Sequence, residues 1–174
     1  LVRFYVVSGN GKIETNQNMV ELLTNSSGVA SVGFTLGTLS GSNAVRALIV
    51  GKPTEAVNFS LTGFVSPSAV PDFAVSNIVA SPQTLVADGI ALANVTLTLR
   101  DQAGNQIPRT TGTVVFSASS GTLMGSVQSN GDGTWSQQLR APTSRGSGAI
   151  SVTATYDGTA LQSSPASVSL IAGN

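Results

Sequence analysis

Cysteine and histidine are both absent from this chain. No disulfide can staple the fold, and the usual sulfur and nitrogen ligands of zinc are missing. The same absences remove Ser-His-Asp and Cys-His nucleophilic catalysis. Ser-Lys chemistry would have to use Lys12 or Lys52, which both lie in the first half. No Gly-x-Ser-x-Gly elbow or phosphate-cradling glycine loop occurs, and Gly9-Asn10-Gly11-Lys12 reads as a hairpin turn. Charge is scarce too: eight basic and eight acidic residues give a net charge of zero. Neither half carries the basic excess that nucleic-acid binding needs. No run of 18 apolar residues exists, so nothing in the sequence reads as a membrane span. The expectation is a chain that is not an enzyme, with no catalytic, cofactor-binding or metal residues and no cofactor.

What the chain has is β-forming material. Ser and Thr supply about a quarter of it, Val, Ile, Thr and Phe suit a pleated surface, and 19 Gly punctuate it. Short alternating runs recur between clusters of Gly, Asn, Asp, Ser and Pro. In the second half they predict strands at Phe73–Ala80, Leu85–Ala87, Asn94–Arg100, Thr113–Ala118, Thr134–Arg140, Ala149–Tyr156 and Ala166–Ile171. Seven strands is the count of an immunoglobulin-like sandwich. Alternation puts Val95, Leu97 and Leu99 on one face, with Thr96 and Thr98 on the other. The expected core is Val95, Leu97, Leu99, Phe116, Trp135, Leu139, Ile150, Val152 and Val168.

The first half echoes the second in order. Val2-Arg3-Phe4 resembles Val114-Val115-Phe116, and Thr24–Gly28 resembles Gln128–Gly133. Gly41–Ala47 resembles Gly148–Ala154, and Val57–Leu61 resembles Ala166–Leu170. Nothing in residues 1–70 corresponds to Phe73–Arg100. The predicted organisation is a partial domain over 1–63 that lacks its first two strands, a Pro-containing linker over 64–71, and a complete domain over 72–174. The chain begins Leu-Val-Arg-Phe, without an initiating Met or a leader pattern, and is expected to be a piece of a longer polypeptide.

Residues 69–108 resemble the bacterial immunoglobulin-like domains of the intimin/invasin type, group 1. The likeness rests on Pro82…Leu85-Val86-Ala87-Asp88-Gly89, on Val95–Asp101, and on the turn Asp101–Ile107. It continues in Val114–Gly121, Gly133–Trp135 and Val152–Ala154. Two residues depart from the pattern: Trp135 stands at a position usually small, and Gln137 at one that is apolar in the echo, Val32. The resemblance implies an all-β fold of tandem sandwiches, the first truncated at its N-terminus. It implies spacer modules of a bacterial cell-surface adhesin, outside the cell and attached to the outer membrane through other regions. The implied partners are neighbouring modules of the same polypeptide and a host or surface receptor reached through a distal domain. Two alternatives stay open: a carbohydrate-binding or spacer module of a secreted glycan-active enzyme, and a phage or virion decoration module.

A few residues carry candidate chemistry beside a plainer reading. Asp88, Asp101 and Asp132 are hard oxygen ligands of the kind calcium takes. They sit in separate turns with no D-x-D-x-D-G loop, so each is read as capping its own turn. Trp135, Tyr156, Phe116 and Tyr5 could stack on sugars, but alternation of Trp135 with Leu139 points to the core. Asn25, Asn58 and Asn94 begin glycosylation sequons, a number that eleven Asn among so much Ser and Thr produces by chance. Arg145-Gly146-Ser147 lacks the Asp of an integrin-binding loop and reads as a turn with a solvated arginine.

Overall fold

The computed structural model describes residues 1–172, and no helix occurs among them. Residues 173–174, the expected end of the second domain, lie outside the described residues. The chain forms two compact units, Leu1–Phe64 and Val65–Asn174.

The first unit holds β1 (Val2–Ser8), β2 (Lys12–Ile13), β3 (Met19–Leu22), β4 (Phe34–Thr35), β5 (Gly41–Ile49) and β6 (Lys52–Gly63). Four of them form one sheet in the order β3-β1-β5-β6, and β2 pairs with β4. Its buried core is small: Phe4, Ile13 and Val45. The segment Gly9–Lys12 is not a hairpin turn, because β1 pairs with β3 and Lys12 crosses to pair with Thr35. The crossing is tight. The Gly11 amide donates to the buried Asn43 side chain at 3.2 Å, and a Cβ on Gly11 would overlap the Phe34 ring.

The second unit is a two-sheet sandwich. Its strands are β7 (Asn77–Ser81), β8 (Thr84–Ala87), β9 (Leu92–Thr98), β10 (Val114–Ala118), β11 (Thr122–Ser129), β12 (Thr134–Arg140), β13 (Ala149–Tyr156), β14 (Thr159–Ala160) and β15 (Ala166–Ala172). One sheet runs β11-β12-β9-β7 and the other β10-β13-β15-β8, with β14 added to β13. Neighbours pair antiparallel except β8, which lies parallel to β15. Period-two alternation aims Val95, Leu97, Leu99, Trp135 and Leu139 at Phe116, Ile150, Val152 and Val168, and every one is buried. At roughly 1.5–3 kcal/mol per fully buried large apolar side chain, this layer dominates the stability of the unit.

Three expectations change. The strand predicted at Phe73–Ala80 begins only at Asn77. The Asp72 carboxylate accepts from the Ala74 and Val75 amides, and the Ser76 amide donates to the Asp72 carbonyl, so 72–76 is a capped turn. The strand count is nine rather than seven, since β11 and the two-residue β14 were not predicted. The strand expected at Asn94–Arg100 runs Leu92–Thr98.

The internal echo is written into the pairing. Phe4 lies opposite Ala47 as Phe116 lies opposite Ala154, and Val2 opposite Ile49 as Val114 opposite Tyr156. The last strand is offset from the sequence echo by two residues. Val45 faces Phe59 where Val152 faces Ala166, so Phe59 and Leu61, not Val57 and Phe59, stand where Ala166 and Val168 do. A shift of two keeps the same side chains on the inner face.

Candidate functional site

The acidic turns come first, because their carboxylates are the chain's best ligand candidates. Asp88 Oδ1 accepts from the Ile90 amide at 2.9 Å and the Ala91 amide at 2.8 Å. These donors, Ala91 foremost, hold its carboxyl below the ordinary 3.8. Asp132 Oδ1 accepts from the Thr134 hydroxyl at 2.7 Å and the Thr134 amide at 2.9 Å, which lowers its pKa likewise. Asp101 accepts from the Asn105 amide and from the Asn105 side chain. Each carboxylate closes its own turn. Among the described residues no group of three or more acidic side chains gathers to hold a metal ion.

The aromatic candidates lie mostly inside. Trp135 is 3% exposed, Tyr156 3% and Phe116 5%. Trp135 and Tyr156 meet edge to face, with centroids 5.6 Å apart. Gln137 shares the strand face of Trp135, and its amide donates to the Gly125 carbonyl at 2.8 Å. A polar side chain is tolerated there because β11 bulges between Met124 and Gln128 and offers a free carbonyl. Asn25, the first sequon residue, accepts from the Ser27 and Val29 amides. Arg145 is not simply solvated: its Nε donates to the Leu170 carbonyl at 2.9 Å.

The structure adds one arrangement that sequence reasoning missed. Arg109 follows Pro108 and turns its guanidinium toward the start of the second unit. Nε donates to the Pro67 carbonyl at 3.0 Å and one terminal nitrogen to the Ala69 carbonyl at 2.8 Å. The other terminal nitrogen reaches the Tyr156 hydroxyl at 3.3 Å, and the guanidinium lies 5.9 Å from the centre of that ring. The Tyr156 hydroxyl donates to the Thr111 carbonyl at 2.7 Å. A chain of contacts therefore runs from residues 67–69 through Arg109 and Tyr156 to Trp135 in the core. No local motif marks it, since the acceptors are backbone carbonyls some 40 positions earlier. Arg100 acts similarly nearby: it donates to the Gly104 carbonyl and to Asn77 Oδ1, tying the Asp101–Asn105 turn to β7.

Comparison with known proteins supplies the context. A family model described as invasin, domain 3 matches residues 72–173. The Yersinia pseudotuberculosis adhesin InvE is 34% identical over 59% of this chain and 28% of its own, with a TM-score of 0.53. Invasin, described as a bacterial integrin-binding protein, covers 99% of this chain at 24% identity and a TM-score of 0.53. The Escherichia coli adhesin FdeC covers 98% at 20% identity and a TM-score of 0.51. The last two likenesses are likenesses of fold. This chain spans 28% of InvE, 32% of invasin and 52% of FdeC.

Proposed function

This chain belongs to the invasin domain 3 family of bacterial immunoglobulin-like modules, the intimin/invasin type, and from that membership we propose that residues 65–174 serve as a spacer in a surface adhesin. The spacer carries a distal binding region away from the cell and contributes no receptor contact of its own. One observation carries this reading: the side chains able to recognise a ligand are already spent inside the module. Trp135 and Tyr156 pack in the core, and Asp88, Asp101 and Asp132 close their own turns. The Arg109 contacts support it as well, because they hold residues 67–69 against the module body instead of leaving a loose tether. The location that follows is the outer surface of a bacterium, among neighbouring modules of the same polypeptide.

The carbohydrate-binding alternative loses its main support with Trp135 and Tyr156 buried. A module exchange tests the proposal. In the polypeptide that carries it, residues 65–174 are replaced by an unrelated sandwich of similar length. Adhesion to target cells should persist. Loss of adhesion after the exchange, or binding of isolated residues 65–174 to a glycan array, overturns the spacer reading.

A further inference from the structure

The chain holds two Asn-Gly pairs, Asn10-Gly11 and Asn130-Gly131, and the fold treats them oppositely. In such a pair the glycine nitrogen can attack the side-chain carbonyl carbon of the asparagine, because no Cβ on the glycine obstructs the approach. The first pair is locked. The Gly11 amide donates to the buried Asn43 side chain at 3.2 Å, which occupies the attacking nitrogen. Turned so that both ends of its amide are satisfied, the Asn10 side chain accepts from the Leu39 and Thr38 amides at 3.2 and 3.3 Å. The second pair is open. Asn130 and Gly131 are exposed between β11 and β12, and the Gly131 amide donates to no acceptor among the described residues. A Cβ on Gly131 would meet nothing within 4 Å. The anchored part of the turn comes later, where the Asp132 carbonyl accepts from Gln106 at 2.9 Å and Gly133 packs against Ile107.

The Asn130 amide is also oriented and polarised. Thr134 Oγ1 donates its proton to Asp132 Oδ1 at 2.7 Å, so toward Asn130 it only accepts. It takes a hydrogen bond from Asn130 Nδ2 at 2.9 Å. That turns Asn130 Oδ1 to the Ser136 hydroxyl, which donates to it at 3.1 Å. We propose that Asn130-Gly131 is a self-modifying site, at which the folded chain converts Asn130 to aspartate and isoaspartate while Asn10 stays intact. The Gly131 nitrogen bonds to Asn130 Cγ, and its proton passes to solvent. Negative charge gathers on Asn130 Oδ1, where the Ser136 hydroxyl stabilises it. The Cγ–Nδ2 bond then breaks, and the nitrogen takes a proton from solvent and leaves as ammonia. One water opens the cyclic imide at either carbonyl, and no other reactant is needed. Thr134 and Ser136 are positioning residues, since neither exchanges an atom with Asn130. The product carries a new carboxylate close to Asp132, in a chain whose net charge is zero. Its isoaspartate form also lengthens the backbone of the β11–β12 turn by a methylene.

The test incubates residues 1–174 at mildly alkaline pH, digests the chain and weighs each Asn-Gly peptide by mass spectrometry. The mass gain of an amide-to-acid exchange should accumulate at Asn130 and not at Asn10. Hydroxylamine added to the folded chain should trap the imide and cut between Asn130 and Gly131. In concentrated urea both pairs should convert alike, because the fold alone distinguishes them. Asn130→Gln should end the gain, since its ring would need an extra atom. Ser136→Ala should slow conversion about threefold or more, and Ser136→Thr, which keeps the hydroxyl, should restore it. Two results overturn the proposal. One is no gain at Asn130 in the folded chain. The other is an equal gain at Asn10 and Asn130 without urea. A rate unchanged or raised by Ser136→Ala overturns the part given to Ser136.

Discussion

At the scale of single residues, two side chains join the core of the second unit to its surface. Trp135 fills the centre of the β12 face and meets Tyr156 edge to face. Trp135→Ala removes a buried indole from a core that cannot close over the space, so a loss of about 3–5 kcal/mol is expected in urea denaturation. An unchanged midpoint would mean that the ring lies on the surface. Arg109 works differently, since its bonds to the Pro67 and Ala69 carbonyls are charge-assisted, the first exposed and the second partly buried. Arg109→Ala should cost about 1–3 kcal/mol and speed amide exchange over residues 67–72 more than elsewhere. Arg109→Lys should recover little, because an ammonium cannot reach two carbonyls and a hydroxyl in one planar fork. Full recovery by lysine would reduce the role of Arg109 to its charge. Trp135 was legible from strand alternation with Leu139. Arg109 was not, because its acceptors are backbone atoms that any sequence supplies.

At the scale of elements, turn chemistry decides as much as strand pattern. β12 and β13 were predicted to the residue because period-two alternation runs the length of β13 and is interrupted in β12 only at Gln137. β11 escaped because Thr-Leu-Met-Gly-Ser-Val-Gln-Ser lies at a sheet edge, bulges, and buries little. The false start of β7 at Phe73 came from reading apolar residues as strand where the Asp72 carboxylate caps a turn. Gly133 shows how one residue can govern a junction. Its φ is +91°, and a Cβ there would overlap the Ile107 carbonyl, so the loop after β9 can close only on a glycine. Gly133→Ala is therefore expected to lower the melting temperature by several degrees, whereas Gly104→Ala, with open space around it and φ +86°, meets only the backbone penalty. Equal effects would show that the close approach to Ile107 is unimportant. The capped turns also make stability depend on acid. The Asp88 and Asp132 carboxyls are held below 3.8 in the folded chain, so their contribution is complete above that pH and is lost as pH falls through the lower folded values. Both groups are exposed, so the effect is small. Asp88→Asn with Asp132→Asn should flatten the drop in melting temperature between pH 5 and pH 2, and an unchanged drop would assign acid sensitivity to other groups.

At the scale of the whole molecule, the two units differ in how much apolar surface they remove from water. The second has 19 buried side chains in its core cluster and the first has three. The pairing of β1, β5 and β6 echoes that of β10, β13 and β15, whereas β3 beside β1 and β8 beside β15 each occur in one sheet only. A unit with a core of three is expected to open well below the denaturant concentration that unfolds its neighbour. The chain has its own reporter for this: Trp135 is the single tryptophan, and it is buried in the second unit. Its fluorescence should follow only that unit, whereas far-ultraviolet dichroism sums the strands of both. In urea the dichroism change should begin first and be partly complete while Trp135 emission is still native. Adding EDTA should move neither transition, because the turn carboxylates are occupied by backbone donors. Coincident fluorescence and dichroism curves would mean that the small core of the first unit does not weaken it.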